Sequence, residues 1–218
     1  MCRVVLWPCA VLISGCVYVS GHTSRGACLH DLSSPIRNFC VVTPGVLWRG
    51  ARPTRADAKW LLEQRVGSVV SVQVDSLPAF EAVVPREDFA HSVSYFQIRG
   101  FNPLQILTRS QLDEHMAIFL AIVKDAPKPI YVHCRAGVDR TGVVAAAYRV
   151  LIEGTSAQDA IAEMARFQSP WQRIDARYLG TVAEHRTEIL RQADELGSRL
   201  QPNTQIKCSR GNCTGLKE

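Results

Sequence analysis

The sequence predicts an α/β protein with a central, mostly parallel sheet and helices on both faces. Two observations carry that prediction. Short runs of apolar, β-branched and aromatic residues alternate with longer stretches of helical period, the pattern of successive strand–helix units. The 218 residues are 47% hydrophobic and contain neither an internal repeat nor a low-complexity tract, so they suffice for one full core with extensions at its ends.

The chain opens with a short positive start, Met1-Cys2-Arg3, followed by an apolar stretch from Val4 to Ile13. That stretch is shorter than the roughly 20 residues a membrane-crossing helix needs. It leads into Ile13-Ser14-Gly15-Cys16, which matches the bacterial lipobox. Residues 1–15 are therefore expected to be a signal peptide. Cys16 is expected to be the lipidated first residue of an exported chain, anchored to the membrane and facing the periplasm. Residues 16–43 mix Gly, Ser, His and Asn without periodicity and read as a tether from lipid to domain.

The domain is expected over 44–200, with strands near 45–49, 68–74, 92–98 and 129–134 and helices near 55–65 and 111–124. Three helices follow: one from Arg140 closing at Gly154, one from Ser156 with Asp159 as its capping-box partner, and one over about 175–200. Residues 201–218 read as a loose tail.

Cysteine usage fits export. Setting aside Cys2 and Cys9 with the signal, Cys16 for lipid and Cys134 for the motif below leaves Cys28, Cys40, Cys208 and Cys213. Four cysteines pair in three ways in an oxidising compartment, and the sequence leaves all three open; the short-range pairs Cys28 with Cys40 and Cys208 with Cys213 would staple the flanks of the domain. The formal charge of +5 is not gathered into a dense basic run, so no nucleic-acid partner is expected. A mild positive balance suits an anionic substrate or lipid surface as well as it suits ordinary solvation.

The chemistry is concentrated in His133 to Gly142, which read HCRAGVDRTG. The preceding Lys128-Pro129-Ile130-Tyr131-Val132 is short and rich in β-formers, which puts Cys134 at the C-terminal end of a buried strand. The alanine-rich stretch from Thr141 begins a helix, so the loop from Cys134 to Arg140 ends on a helix N-terminus. Backbone N–H groups of Arg135, Ala136, Gly137, Val138, Asp139 and Arg140 can there converge on one phosphate-sized anion. A helix N-terminus and a neighbouring cation favour the thiolate, the nucleophilic form of cysteine, and Cys134 is expected in that form at neutral pH. Arg140 supplies a planar fork for two phosphoryl oxygens and keeps its charge. Gly137 lets the chain turn without a side chain blocking the anion. Thr141 places a hydroxyl where it can reach the sulfur, and His133 orients the loop from behind.

Cys134, five residues, Arg140 and then Thr141-Gly142 resemble the signature of the cysteine-dependent protein tyrosine phosphatase superfamily. Val46-Leu47-Trp48-Arg49-Gly50-Ala51-Arg52-Pro53, with Val69-Val70-Ser71-Val72 after the next helix, is similar to the opening of bacterial dual-specificity-type phosphatases. The resemblance extends over about 44–192 and includes Ala147-Tyr148-Arg149 and Ala160-Ile161-Ala162-Glu163-Met164. It implies a protein tyrosine phosphatase-like fold and hydrolysis of phosphomonoesters through a cysteinyl-phosphate, without metal or cofactor. Phosphotyrosine on exported proteins is the first substrate expected and a phospholipid or inositol phosphate the second; Arg135 on the loop rim favours the latter, while Val138, where several lipid-directed relatives have lysine, weakens it. Relatives carry a general-acid aspartate on an upstream loop. Here that loop has Asn102, which cannot donate the proton, so Asp139 is the preferred acid; otherwise it orients Arg140. Asp113 and Glu114 are alternatives that read as solvated first-turn carboxylates. A rival of another class is a catalytically weak phosphate-recognition module.

His91, His115 and His185 lack ligand spacing and read as surface or partly packed imidazoles. Trp60 and Trp171 read as packing residues. Arg49 and Arg52 fall in a turn on the active-site side of the resemblance, with Arg52 the one considered for substrate contact. A monomer is expected.

Overall fold

The computed structural model describes residues 28, 33–73, 93–101, 109–167, 172–209 and 212–217. Strand β1 (Cys40–Thr43) turns back into β2 (Leu47–Ala51), and helix α1 (Arg55–Glu63) leads to β3 (Ser68–Ser71). Then come β4 (Ser94–Arg99), α2 (Arg109–Asp125), β5 (Ile130–Cys134) and α3 (Asp139–Tyr148). A π turn (Arg149–Glu153) closes α3, followed by α4 (Ala157–Ala165), α5 (Gln172–Val182), a 3-10 turn (Ala183–His185) and α6 (Arg186–Gly197). The described chain ends in β6 (Thr204–Ser209) and β7 (Asn212–Thr214).

The strands form one sheet in the order β1-β2-β5-β3-β4-β6-β7. From β2 to β6 every neighbouring pair is parallel, and only β1 and β7, at the two edges, run antiparallel. Successive side chains of a strand leave opposite faces. Accordingly Val69, Tyr95 and Tyr131 pack with Ala58 and Leu61 of α1, whereas Val70, Phe96, Ile130 and Val132 join α2 and α3 in the larger core. The sheet is thus mostly parallel and covered on both faces, as expected. All five residues of β5 are buried, which fits a strand with parallel partners on both sides.

Local signals set most of the boundaries. Thr54 caps α1: its hydroxyl accepts from the Asp57 N–H at 3.2 Å, and its own N–H donates to the Asp57 carboxylate at 2.8 Å. Ser156 caps α4, accepting from the Asp159 N–H at 3.1 Å, but here the Asp159 carboxylate takes the Ser156 hydroxyl at 2.7 Å. Gly154, at φ +69°, ends the π turn in the left-handed conformation. The expected strands fall on β2 to β5 with ends shifted by up to three residues.

Three expectations are corrected. The single helix over about 175–200 is broken at Ala183–His185, where His185 turns aside to Asp113. The stretch read as a tether reaches the core before it ends, since Ile36, Phe39, Cys40 and Val42 are buried. Part of the stretch read as a loose tail builds β6 and β7: alternation along Gln205-Ile206-Lys207-Cys208 turns Ile206 and Cys208 inward, and Ile206 pairs with Ile98 of β4. Of the possible pairings, the structure makes Cys28–Cys40 and Cys208–Cys213. Residues 1–16, with the lipobox, lie outside the described residues, as do His91, Asn102 and Trp171. Among the described residues no helix is long and apolar enough to cross a membrane.

Candidate active site

Strand β5 delivers Cys134 to the end of the sheet and α3 starts five residues later at Asp139. Cys134 is buried and the one free cysteine among the described residues. Between these elements four successive carbonyls accept from donors outside the loop, and the Cys134 carbonyl before them faces a ring nitrogen. The Cys134 carbonyl faces His133 Nδ1 at 3.4 Å, and that of Arg135 accepts from the Arg52 N–H at 3.3 Å. The Ala136 carbonyl accepts from Asn38 Nδ2 at 2.8 Å and the Gly137 carbonyl from Arg49 Nη2 at 2.6 Å. The Val138 carbonyl accepts from the Gly142 N–H at 2.9 Å and, more distantly, from Arg49 Nη2 at 3.4 Å. In a trans peptide the N–H points opposite to the C=O. Four carbonyls held by donors from outside the loop therefore turn the N–H groups of Ala136 through Asp139 the other way, toward the loop interior. That is a nest for an anion, made before any anion arrives.

Gly137 makes this turn at φ +72°, and a Cβ there would stand 2.3 Å from the Gly50 carbonyl carbon and 2.4 Å from the Ala51 nitrogen. The loop and the end of β2 are thus in backbone contact, with room for no other residue type. Arg140 lies half-exposed in the first turn of α3, and Arg135 is exposed. Asp139 is half-buried at the first position of α3. Thr141 is fully buried, and its hydroxyl has no hydrogen-bond partner among the described residues; the expected bond to the sulfur is not made in this arrangement.

Burial depresses the His133 imidazole to about 4, so the ring is neutral at ordinary pH. It stacks on Tyr131 with centroids 5.9 Å apart, and the Tyr131 hydroxyl donates to the Ala51 carbonyl at 2.5 Å. The His133 Nδ1 lies 3.4 Å from the Cys134 carbonyl.

The acid alternatives separate. Asp113 is not a solvated first-turn carboxylate: it is 8% exposed, accepts from the Tyr178 hydroxyl at 3.1 Å and faces His185 Nδ1 at 2.7 Å. Both of its oxygens are committed to α5 and the 3-10 turn, because α5 and α6 fold back over the start of α2. Glu114 is half-buried rather than solvated. His115 is also corrected, being buried between the Gln111 and Arg99 carbonyls, while His185 is partly packed as read. Among the described residues no group of three or more His, Cys, Asp or Glu side chains gathers as a metal site. A cavity of about 520 Å³ between α2, α6 and β7 is lined by other residues, including Glu114, Arg191 and Arg199, and is separate from the loop.

Two contributors escaped the sequence. Asn38 falls in the stretch read as a tether, and Arg49 at the end of an expected strand with no role given to it. Arg49 is a β2 residue, 1% exposed, with its guanidinium 3.7 Å from the Phe167 ring centroid. A charged residue inside the otherwise apolar Leu47–Ala51 was the available signal. For Asn38 there was none at short range.

A free, buried cysteine at a strand end, followed by a six-residue step to an arginine in the first turn of a helix, is the architecture of the cysteine-dependent protein tyrosine phosphatase superfamily. A family model described as a DSP-PTPase phosphatase fused to NAD+ kinase matches residues 41–178, and the chain belongs to that family. The dual specificity protein phosphatase TpbA of Pseudomonas aeruginosa is 28% identical over 132 residues, 61% of this chain and 55% of TpbA. The chain thus spans about half the length of that curated relative. The crystal structure of P. aeruginosa TpbA in complex with pTyr matches with a TM-score of 0.58 at 21% identity, over 75% of this chain and 96% of that one. The core catalytic domain of the PP-IP phosphatase SIW14 from S. cerevisiae, in complex with citrate, gives 0.57 at 23% identity, over 74% and 93%. Both likenesses are likenesses of fold.

Proposed function

We propose that this phosphatase hydrolyses phosphomonoesters through a cysteinyl-phosphate on Cys134, with protein phosphotyrosine as its first substrate. The observation that carries the reading is the run of four carbonyls after Cys134 held by donors from outside the loop, which leaves their N–H groups for the loop interior. The phosphoryl group sits in that nest with two of its oxygens on the Arg140 fork. Cys134 forms a bond to phosphorus as the ester P–O bond breaks, and Asp139 gives its proton to the leaving oxygen. Water then attacks phosphorus and its proton passes to Asp139. The S–P bond breaks, releasing inorganic phosphate and the Cys134 thiolate. Inward N–H groups and Arg140 hold the charge of both transition states without reorganising.

The likeness to TpbA, a dual specificity protein phosphatase, supports a protein substrate. A second reading, a multiply phosphorylated lipid or inositol phosphate, is supported by two exposed arginines at the rim, Arg52 and Arg135, joined through the Arg52 N–H and the Arg135 carbonyl.

Release of inorganic phosphate from para-nitrophenyl phosphate, a phosphotyrosyl peptide and an inositol polyphosphate tests both readings on the full chain, on Cys134→Ser and on Asp139→Asn. Cys134→Ser is expected to abolish turnover, and Asp139→Asn to remove the basic limb of the pH profile. A wild type that binds phosphate but turns over none of the three is a recognition module, and the enzymatic reading falls.

A further inference from the structure

We propose that Arg49 is a positioning residue of the phosphate loop, holding the Gly137 and Val138 carbonyls outward from beneath while setting a fixed positive charge under the bound anion. The proposal rests on the phosphatase reading of the loop and extends it to a residue on a different strand.

Arg49 lies opposite Val132 in the register of β2 and β5, two residues before Cys134. Its side chain leaves the sheet on the face that carries α3 and Phe167, and from there reaches the loop. Nη2 reaches the Gly137 carbonyl at 2.6 Å and the Val138 carbonyl at 3.4 Å. The Phe167 ring supports the cation at 3.7 Å. Gly142 of α3 lies beside it, where a Cβ would stand in ordinary contact with Nη1 at 3.9 Å.

Burial costs a guanidinium a great deal of hydration and pulls Arg49 down to about 10, with the negative charges of Cys134 and Glu163 acting in the other direction. Its Nε is buried with no partner among the described residues. The guanidinium is thus oriented for the loop at the expense of its own donor. An apolar side chain of the same volume would fill this space without either cost. What it would lose is the pair of donors on the loop. Without them the Val138 carbonyl keeps the Gly142 N–H, but the peptide after Gly137 is free to rotate, which would turn its carbonyl lone pair toward the phosphoryl oxygens and an N–H away. Arg49 touches neither substrate nor sulfur in this scheme; it acts through the backbone it holds.

The test compares the full chain with Arg49→Lys, Arg49→Gln and Arg49→Met. The readouts are kcat and KM on para-nitrophenyl phosphate, inhibition by inorganic phosphate, the pH profile of Cys134 alkylation by iodoacetamide, and circular dichroism for folding. Arg49→Met is expected to lose about 100-fold in kcat/KM, the scale of a misplaced catalytic group. Phosphate inhibition is expected to weaken about 10-fold, as for one charge-assisted hydrogen bond. The alkylation profile should move to higher pH in Arg49→Gln and Arg49→Met, with Arg49→Lys recovering it because the charge is kept. Folded variants whose kcat/KM, phosphate inhibition and alkylation profile all equal wild type overturn the proposal. So does a set in which none folds, since Arg49 is then a core residue and no more. A wild type that does not turn over sinks the phosphatase reading alone. In that case phosphate-induced stabilisation of wild type over Arg49→Gln still reads Arg49's hold on the loop.

Discussion

His133 makes the stability of this domain depend on pH in a way that one substitution removes. The imidazole is 4% exposed, and burial lowers it from 6.5 to about 4. The folded state therefore binds the neutral ring, while the unfolded chain takes up a proton below 6.5. The stabilising contribution is fully present above pH 6.5, is lost as the pH falls, and levels off below about 4. That displacement corresponds to about 3 kcal/mol, or roughly 6–12 °C in Tm for a domain of this size. His133→Asn keeps a side-chain N–H able to reach the Cys134 carbonyl but removes the titration. Urea unfolding of wild type and His133→Asn at pH 7, 6, 5 and 4 measures the difference directly, because the carboxylates common to both cancel. The gap between the two is expected to shift in favour of the variant by about 3 kcal/mol between pH 7 and 4. Parallel curves would mean that the ring is solvated or paired in the folded state, and the reasoning from burial would be wrong.

Gly137→Ala places a Cβ 2.3–2.5 Å from the Gly50 and Ala51 backbone at φ +72°, so the loop or the end of β2 must move. The left-handed conformation alone costs about 1–2 kcal/mol. Inorganic phosphate should cease to stabilise the variant in a thermal melt, and retention of the wild-type shift would refute this. Arg149 is 2% exposed and carries Glu163 at 3.0 Å and Glu153 at 2.6 Å, so Arg149→Met strands a buried carboxylate. A loss of about 3–5 kcal/mol is expected. Arg149→Met with Glu163→Met should recover most of it, and a double variant as unstable as the sum of both single ones would show that the pair is not coupled.

The parts of the site that lie close together in sequence were legible because their geometry is local. A strand ending at Cys134, a glycine that allows the turn and a helix beginning near Arg140 are set by residues within one continuous stretch. The helix cap at Ser156 was readable for the same reason. Legibility stopped where a polar group is satisfied by a distant one. Asn38 and Ala136 are 98 residues apart, and Arg49 and Gly137 are 88 apart. Asp113 looked like a surface carboxylate because its partners, Tyr178 and His185, lie 65 and 72 residues downstream. The edge strands β6 and β7 were lost to a supposed tail because three to six residues of modest alternation are too short a signal until β4 offers them a partner.

The sequence by itself determined the α/β class, the reactive loop and the family, since periodicity and a contiguous motif are properties of neighbouring residues. Only the tertiary structure decided which groups hold that loop open. A carbonyl points outward when a donor waits for it, and here those donors come from the segment before β1, from β2 and from the residues after it, and from α3. Their convergence follows from how the sheet is ordered, with β5 seated beside β2, and no local pattern of residues encodes that neighbourhood.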